Sequence, residues 1–228
     1  WTQTIPSHTA NSDRNPASRP RVGETARGSL PYHPVVHNGR VYLNLMTSIV
    51  AYELDIGRPW PDRRVANALF DSGISPVAYV PLGYPFVGAP RGTLSIAGNR
   101  LFARMGPAIT ASANGETAAD GNSLSSLVGL DLERQGSMLR GFPIRLTAPD
   151  FEACEFEGPP LAWGEYLIAA IVQRDNVGLR RWVAAFDQNS GELVWKSGVL
   201  AAGAVAGTER ANLISHQILS AAGGRLYY

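Results

Sequence analysis

Four copies of one short pattern constrain this chain of 228 residues more than any other feature. Segments 36–42, 96–102, 161–167 and 221–227 each run from an apolar stretch through a tight turn into an apolar, aromatic strand, with the turns at Gly39, Asn99, Gly164 and Gly224. Gly and Asn tolerate the positive φ that two-residue hairpin loops demand, so each copy is predicted to be a β-hairpin. A second pattern follows the first three hairpins at a variable distance, at 50–57, 128–136 and 184–191. It consists of a small residue, an apolar one, an acidic one, a few polar residues and a closing Gly. A further strand then brings Trp60, or Leu139 and Phe142, or Trp195. Each unit therefore holds four strands, A to D in chain order.

Composition agrees with many short strands and frequent turns. Apolar residues make up 45% of the chain and charged ones 17%, with 24 Gly and 16 Pro, which disfavours a helical bundle. Four short antiparallel strands recurring roughly every 60 residues describe a β-propeller blade better than a solenoid coil or a sandwich. The expected fold is all-β, a partial propeller of about three and a half four-stranded blades. Blades are expected near 30–60, 92–143 and 158–196, with a fourth starting from 218 and cut after its second strand begins. Residues 1–29 are read as a connector or extended arm following a preceding blade, whose closing Trp would be Trp1. The window is thus read as part of a longer polypeptide that supplies the remaining blades.

The third unit, 185–195, resembles the tryptophan-docking repeat of the pyrroloquinoline-quinone-like propeller superfamily. That repeat runs Ala-x-Asp-x-x-Thr/Ser-Gly-x-x-x-Trp, and Ala185, Asp187, Ser190, Gly191 and Trp195 fill its fixed positions. Unit one brings its Trp a residue early, while unit two has an extra turn residue and no Trp. In physical terms Asp187 is expected to accept hydrogen bonds from the turn amides after it, Gly191 to close the turn, and the Trp195 indole to pack against the neighbouring blade.

The resemblance implies two functional classes. One is the quinone-dependent alcohol and sugar dehydrogenases, with a quinone and calcium on the propeller axis. The other is non-catalytic and is similar to the lipoprotein scaffold of the outer-membrane β-barrel assembly machinery, which also implies an extracytoplasmic or periplasmic location. Many of the dehydrogenases carry adjacent cysteines, whereas this chain has only Cys154. A lone cysteine has no disulfide or Cys-rich metal partner and is expected to be a small buried hydrophobe. Asp150, Glu152, Glu155 and Glu157 form the nearest approach to a calcium cluster and are read as a solvated linker. His8, His33, His37 and His216 lack metal-ligand spacing, and His37 is expected to be exposed at its turn. No catalytic, cofactor or metal residue is assigned, and no cofactor is expected outside the dehydrogenase alternative.

With 20 Lys and Arg against 19 Asp and Glu there is no basic excess for a phosphate backbone, so nucleic acid is not an expected partner. No run reaches the roughly 20 apolar residues of a membrane span. The remaining signal is where the repeat varies in length. A–B and C–D turns are short in every copy, whereas 2–29, 61–91, 104–123, 143–157 and 197–217 carry the additional length. In an antiparallel blade these longer stretches share the rim opposite the short turns, so that rim is the expected recognition surface for a protein or polysaccharide. Within it, 79–87 combines aromatics with prolines, and Tyr79, Leu82, Tyr84 and Phe86 are the candidate contact residues.

Overall fold

The computed structural model describes residues 33–45, 47–62, 68–72, 93–106, 125–147, 149–152, 154–174, 178–204 and 219–228. Among them every regular element is a β-strand and every strand pair is antiparallel. The first sheet holds β1 (Val35–His37), β2 (Arg40–Asn44), β3 (Ser48–Glu53) and β4 (Phe70–Asp71) in that order. The second holds β5 (Leu94–Ala97), β6 (Arg100–Met105), β7 (Ser126–Asp131) and β8 (Ser137–Met138), with β9 (Ile144–Arg145) also on β7. The third repeats this plan with β10 (Cys154–Trp163), β11 (Tyr166–Arg174), β12 (Gly178–Asp187) and β13 (Leu193–Lys196), and β14 (Ala201–Ala204) joins β12. A two-stranded sheet, β15 (Ser220–Ala222) and β16 (Arg225–Tyr227), follows. None of the sheets closes on itself.

All four expected hairpins are present, as β1–β2, β5–β6, β10–β11 and β15–β16. Their turn chemistry is local: Asn38 and Gly39 adopt φ of 47° and 69°, values that a bulky side chain would resist. The outer strand is less simple than the repeat suggests. It arrives in two pieces, Pro59 and then β4, β8 and then β9, and β13 and then β14, each pair of pieces bonding the same neighbour. Residues 70–71, 144–145 and 201–204 therefore belong to sheets, not to connections between them. The third sheet also begins at Cys154, earlier than the expected 158, because 154–157 pair with 170–173 ahead of a bulge before Leu161.

Central strands are buried on both faces, as the continuous apolar run Leu167 to Val172 requires. The sheets stack face to face in chain order. One cluster joins Tyr42, Ile49, Ala51 and Leu69 of the first sheet to Leu101, Met105, Val128 and Leu130 of the second. Another joins Phe102, Leu127, Phe142 and Ile144 of the second to Phe156, Leu167, Ile171 and Phe186 of the third. A smaller one seats Leu219 and Leu226 on Ile168, Ala170, Val183 and Ala185.

Candidate functional site

The repeat motif builds one rim of this stack. Asp187 Oδ1 accepts hydrogen bonds from the amides of Asn189 and Ser190, both at 2.8 Å, and Gly191 closes the turn through its amide to the Asp187 carbonyl at 2.9 Å with φ of 72°. Asp131 plays the same part for Glu133 and Arg134. In the first sheet Glu53 stands at that position and pairs with Arg58 at 3.2 Å instead. A backbone bond then ties each C–D turn to the A–B turn of its own sheet: Leu54 to the Gly39 carbonyl, Leu132 to Asn99 and Gln188 to Glu165, at 2.8, 2.8 and 3.0 Å. The short turns thus share one rim, as expected.

The Asp187 carboxyl is held below its ordinary pKa of 3.8, first by the Ser190 amide and then by the Asn189 amide. A group depressed in the folded state contributes stability that is complete above the unfolded value and is lost as pH falls through the folded one. The stability difference between the wild type and Asp187→Asn is therefore expected to be constant near neutrality and to shrink below about pH 4. Urea titrations at pH 7 and pH 3 check this, and a difference that grows on acidification would contradict it.

The motif glycines have a second role between sheets. A Cβ on Gly136 would lie 2.2 Å from Leu69 Cδ1 of the first sheet, and one on Gly191 would lie 2.6 Å from the Gly141 carbonyl oxygen of the second. The C–D turns of the second and third sheets are therefore seats for the outer strand of the preceding sheet. The small residue at the head of the motif also acquires a reason. Gly129 leaves room for the Phe142 ring, which would sit 2.9 Å from a Cβ there.

Trp195 departs from expectation. It pairs with Ala185, but it is 39% exposed and belongs to no buried cluster, while Trp60 and Phe142 pack within the first two interfaces. Among the described residues, Leu219 and Leu226 pack on Ile168 and Ala185 of the third sheet, and Trp195 is in none of the buried clusters. Of the motif residues, Ala185 is fully buried, Asp187, Ser190 and Gly191 form the turn, and Trp195 remains at the surface.

The acidic segment also departs. Glu155 and Glu157 are buried, at 7% and 8% exposed, because they lie on β10. Glu155 accepts hydrogen bonds from the Ser125 amide at 2.9 Å and from its hydroxyl, and Glu157 pairs with Arg181 at 3.2 Å. Beside them Arg104, 8% exposed, donates to the carbonyls of Phe156 at 2.7 Å and Gly106 at 2.9 Å, and Asn44 donates to the Arg104 carbonyl at 3.0 Å. Asn44, Arg104 and Glu155 thereby bridge successive sheets, whereas the Glu157–Arg181 pair lies within the third.

Cys154 is a buried free thiol, as expected, and burial pushes it up to about 11. A thiol held protonated to that degree is a poor nucleophile at neutral pH. His37 is half-buried at the end of β1 and not exposed, with a buried Nε2. An open cleft of about 490 Å³ on the short-turn rim is lined by Asn99, Arg100, Asp131, Glu133, Gly164 and Gln188. Among the described residues no group of three or more His, Cys, Asp or Glu is placed to hold a metal ion. Tyr79, Leu82, Tyr84 and Phe86 lie outside the described residues, as do His8, His216 and most of the longer stretches. No known family model matches the chain, and a search of curated proteins finds no match either.

Proposed function

We propose that the sheets are blades of a quinoprotein-like β-propeller and that the chain is a non-catalytic binding and scaffolding segment of a larger extracytoplasmic protein. Its partner is a protein or polysaccharide that meets the rim opposite the short turns, where Tyr79, Leu82, Tyr84 and Phe86 provide apolar contacts. The observation that carries this reading is the repeated seat: in two successive interfaces the outer strand of one sheet rests on the C–D turn glycine of the next. A stack that propagates by one rule is what a radial array of blades requires. The tied turns support the reading that the opposite rim carries the variable loops.

The test combines two assays on the full chain. Mixed with pyrroloquinoline quinone and calcium, the protein is expected to give no dye-linked oxidation of alcohols or aldoses. On peptide and glycan arrays it is expected to bind, and simultaneous Tyr79→Ser, Leu82→Ser, Tyr84→Ser and Phe86→Ser is expected to abolish binding with an unchanged circular dichroism spectrum. Quinone- and calcium-dependent oxidation would overturn the non-catalytic reading. Array binding that survives the four substitutions would overturn the assigned surface.

A further inference from the structure

The rim of short turns carries an open cleft that the proposed function leaves unused. Its volume is about 490 Å³, and the second sheet lines it with Asn99, Arg100, Asp131 and Glu133, the third with Gly164 and Gln188. Arg100 shares its face of β6 with Phe102, which packs toward the third sheet, so its side chain enters the cleft from the second.

Most polar groups of the cleft are already engaged. Asp131 takes the amides of Glu133 and Arg134, at 2.9 and 3.2 Å, and Glu133 accepts from the Asn99 side chain. Gln188 is 4% exposed and spends both amide protons on the carbonyls of Gly164 and Tyr166, at 3.1 and 2.8 Å, which leaves its side-chain oxygen to accept. Arg100 differs: it is half-buried and makes no side-chain hydrogen bond or ion pair among the described residues. The cleft thus sets a free guanidinium donor beside fixed carbonyl and carboxylate acceptors. Such mixed charge matches neither a bare anion nor a cation. It matches vicinal hydroxyls, each of which both donates and accepts.

Aromatic surface lies across the same turn. Trp163 and Tyr166 are strand partners that bracket Gly164 and Glu165, and both are 38% exposed. Tyr166 shares a face with Ile168, which packs toward β15 and β16, so the pair flanks the Gly164 turn on the side away from the cleft. Exposed rings with polar tips offer a stacking platform for the apolar face of a pyranose. One packed sheet, roughly 10 Å, separates platform from cleft, about the span of two linked rings.

We propose that the short-turn rim binds a neutral oligosaccharide, with one ring hydrogen-bonded to Arg100, Glu133 and Gln188 in the cleft and another stacked on Trp163 and Tyr166. The site needs only the second and third sheets, so it rests neither on the propeller reading nor on residues 79–87. An open cleft with one free charged donor is expected to give a Kd of about 1 mM, too weak to survive the washing of an array.

The experiment is a solution titration of the nitrogen-15-labelled full chain with cellotetraose, xylotetraose, mannotetraose, maltotetraose and chitotetraose, each in turn. At least one sugar is expected to move the Arg100 Nε–H and Trp163 Nε1–H resonances together and saturably. Arg100→Gln is expected to weaken that binding roughly tenfold, as the loss of a hydrogen bond from a charged donor does. Trp163→Ala is expected to weaken it about threefold to tenfold. Both side chains are partly exposed, so unfolding midpoints are expected to stay near that of the wild type. The four serine substitutions at 79–87 are expected to leave the titration unchanged. Absence of a response at Arg100 to every sugar would overturn the site, and so would binding that Arg100→Gln and Trp163→Ala leave intact. Equal shifts from tetra-alanine would overturn the ligand class.

Discussion

Phe156→Ala is expected to lower the unfolding free energy by about 3–5 kcal/mol, the loss typical of a large aromatic removed from a core. Phe156 is 1% exposed and meets Phe186 edge-on at 5.9 Å within the cluster that joins the second and third sheets. Its backbone is held at the same interface, with the carbonyl taking the Arg104 Nε–H at 2.7 Å and the amide donating to Ser125 Oγ at 2.8 Å. The ring cannot be replaced by a shift of the strand, because those bonds fix its height, so a cavity remains. Against a total stability of roughly 5–15 kcal/mol such a loss is decisive. Trp195→Ala removes a larger side chain but one already 39% exposed, and is expected to cost about 1–2 kcal/mol. Urea unfolding of the two variants checks the order. A Trp195 loss equal to or above that of Phe156 would mean that the outer edge of the third sheet is buried and that the interfaces are wrongly placed.

Gly141→Ala is expected to be the more damaging of two glycine substitutions that look alike in sequence. Gly141 and Gly98 both have positive φ, 80° and 56°. Either alanine therefore carries the left-handed penalty of about 1–2 kcal/mol. The difference is space. Around Gly98 a Cβ meets nothing within 4 Å, whereas at Gly141 it would lie 1.6 Å from the Ser190 carbonyl oxygen of the next sheet. Since both groups at that contact are backbone, relief requires the sheets to separate, and Gly141→Ala is expected to lose about 1–3 kcal/mol more than Gly98→Ala. Equal losses for the two variants would show that the second and third sheets do not touch there.

What the sequence disclosed was local. Hairpin turns at 38–39, 98–99 and 223–224 need only Gly and Asn in place, and the Asp187 turn needs only its own next three residues, so both are legible without knowledge of the fold. Outer strands such as Phe70–Asp71 and Ile144–Arg145 are two residues long, too short for any periodicity, and exist because a strand from the same sheet supplies their bonds. Glu155 and Glu157 resemble a solvated acidic run until their partners are known. Ser125 and Arg181 lie 30 and 24 residues away in the chain, and only the folded sheets bring them together. Trp195 shows the converse limit, since a motif complete at every fixed position does not determine what covers its indole.

The stacking rule rests on Leu69 seated over Gly136 and Ile144 beside Gly191, 3.2 Å from where a Cβ would stand. Nuclear Overhauser spectra of the isotope-labelled chain read both contacts at once. The predicted result is a pair of strong cross-peaks, from the Leu69 methyls to the Gly136 α-protons and from the Ile144 γ-protons to the Gly191 α-protons. Intact hairpin cross-peaks within each sheet, with both of these absent, would show that the sheets form but do not stack as described.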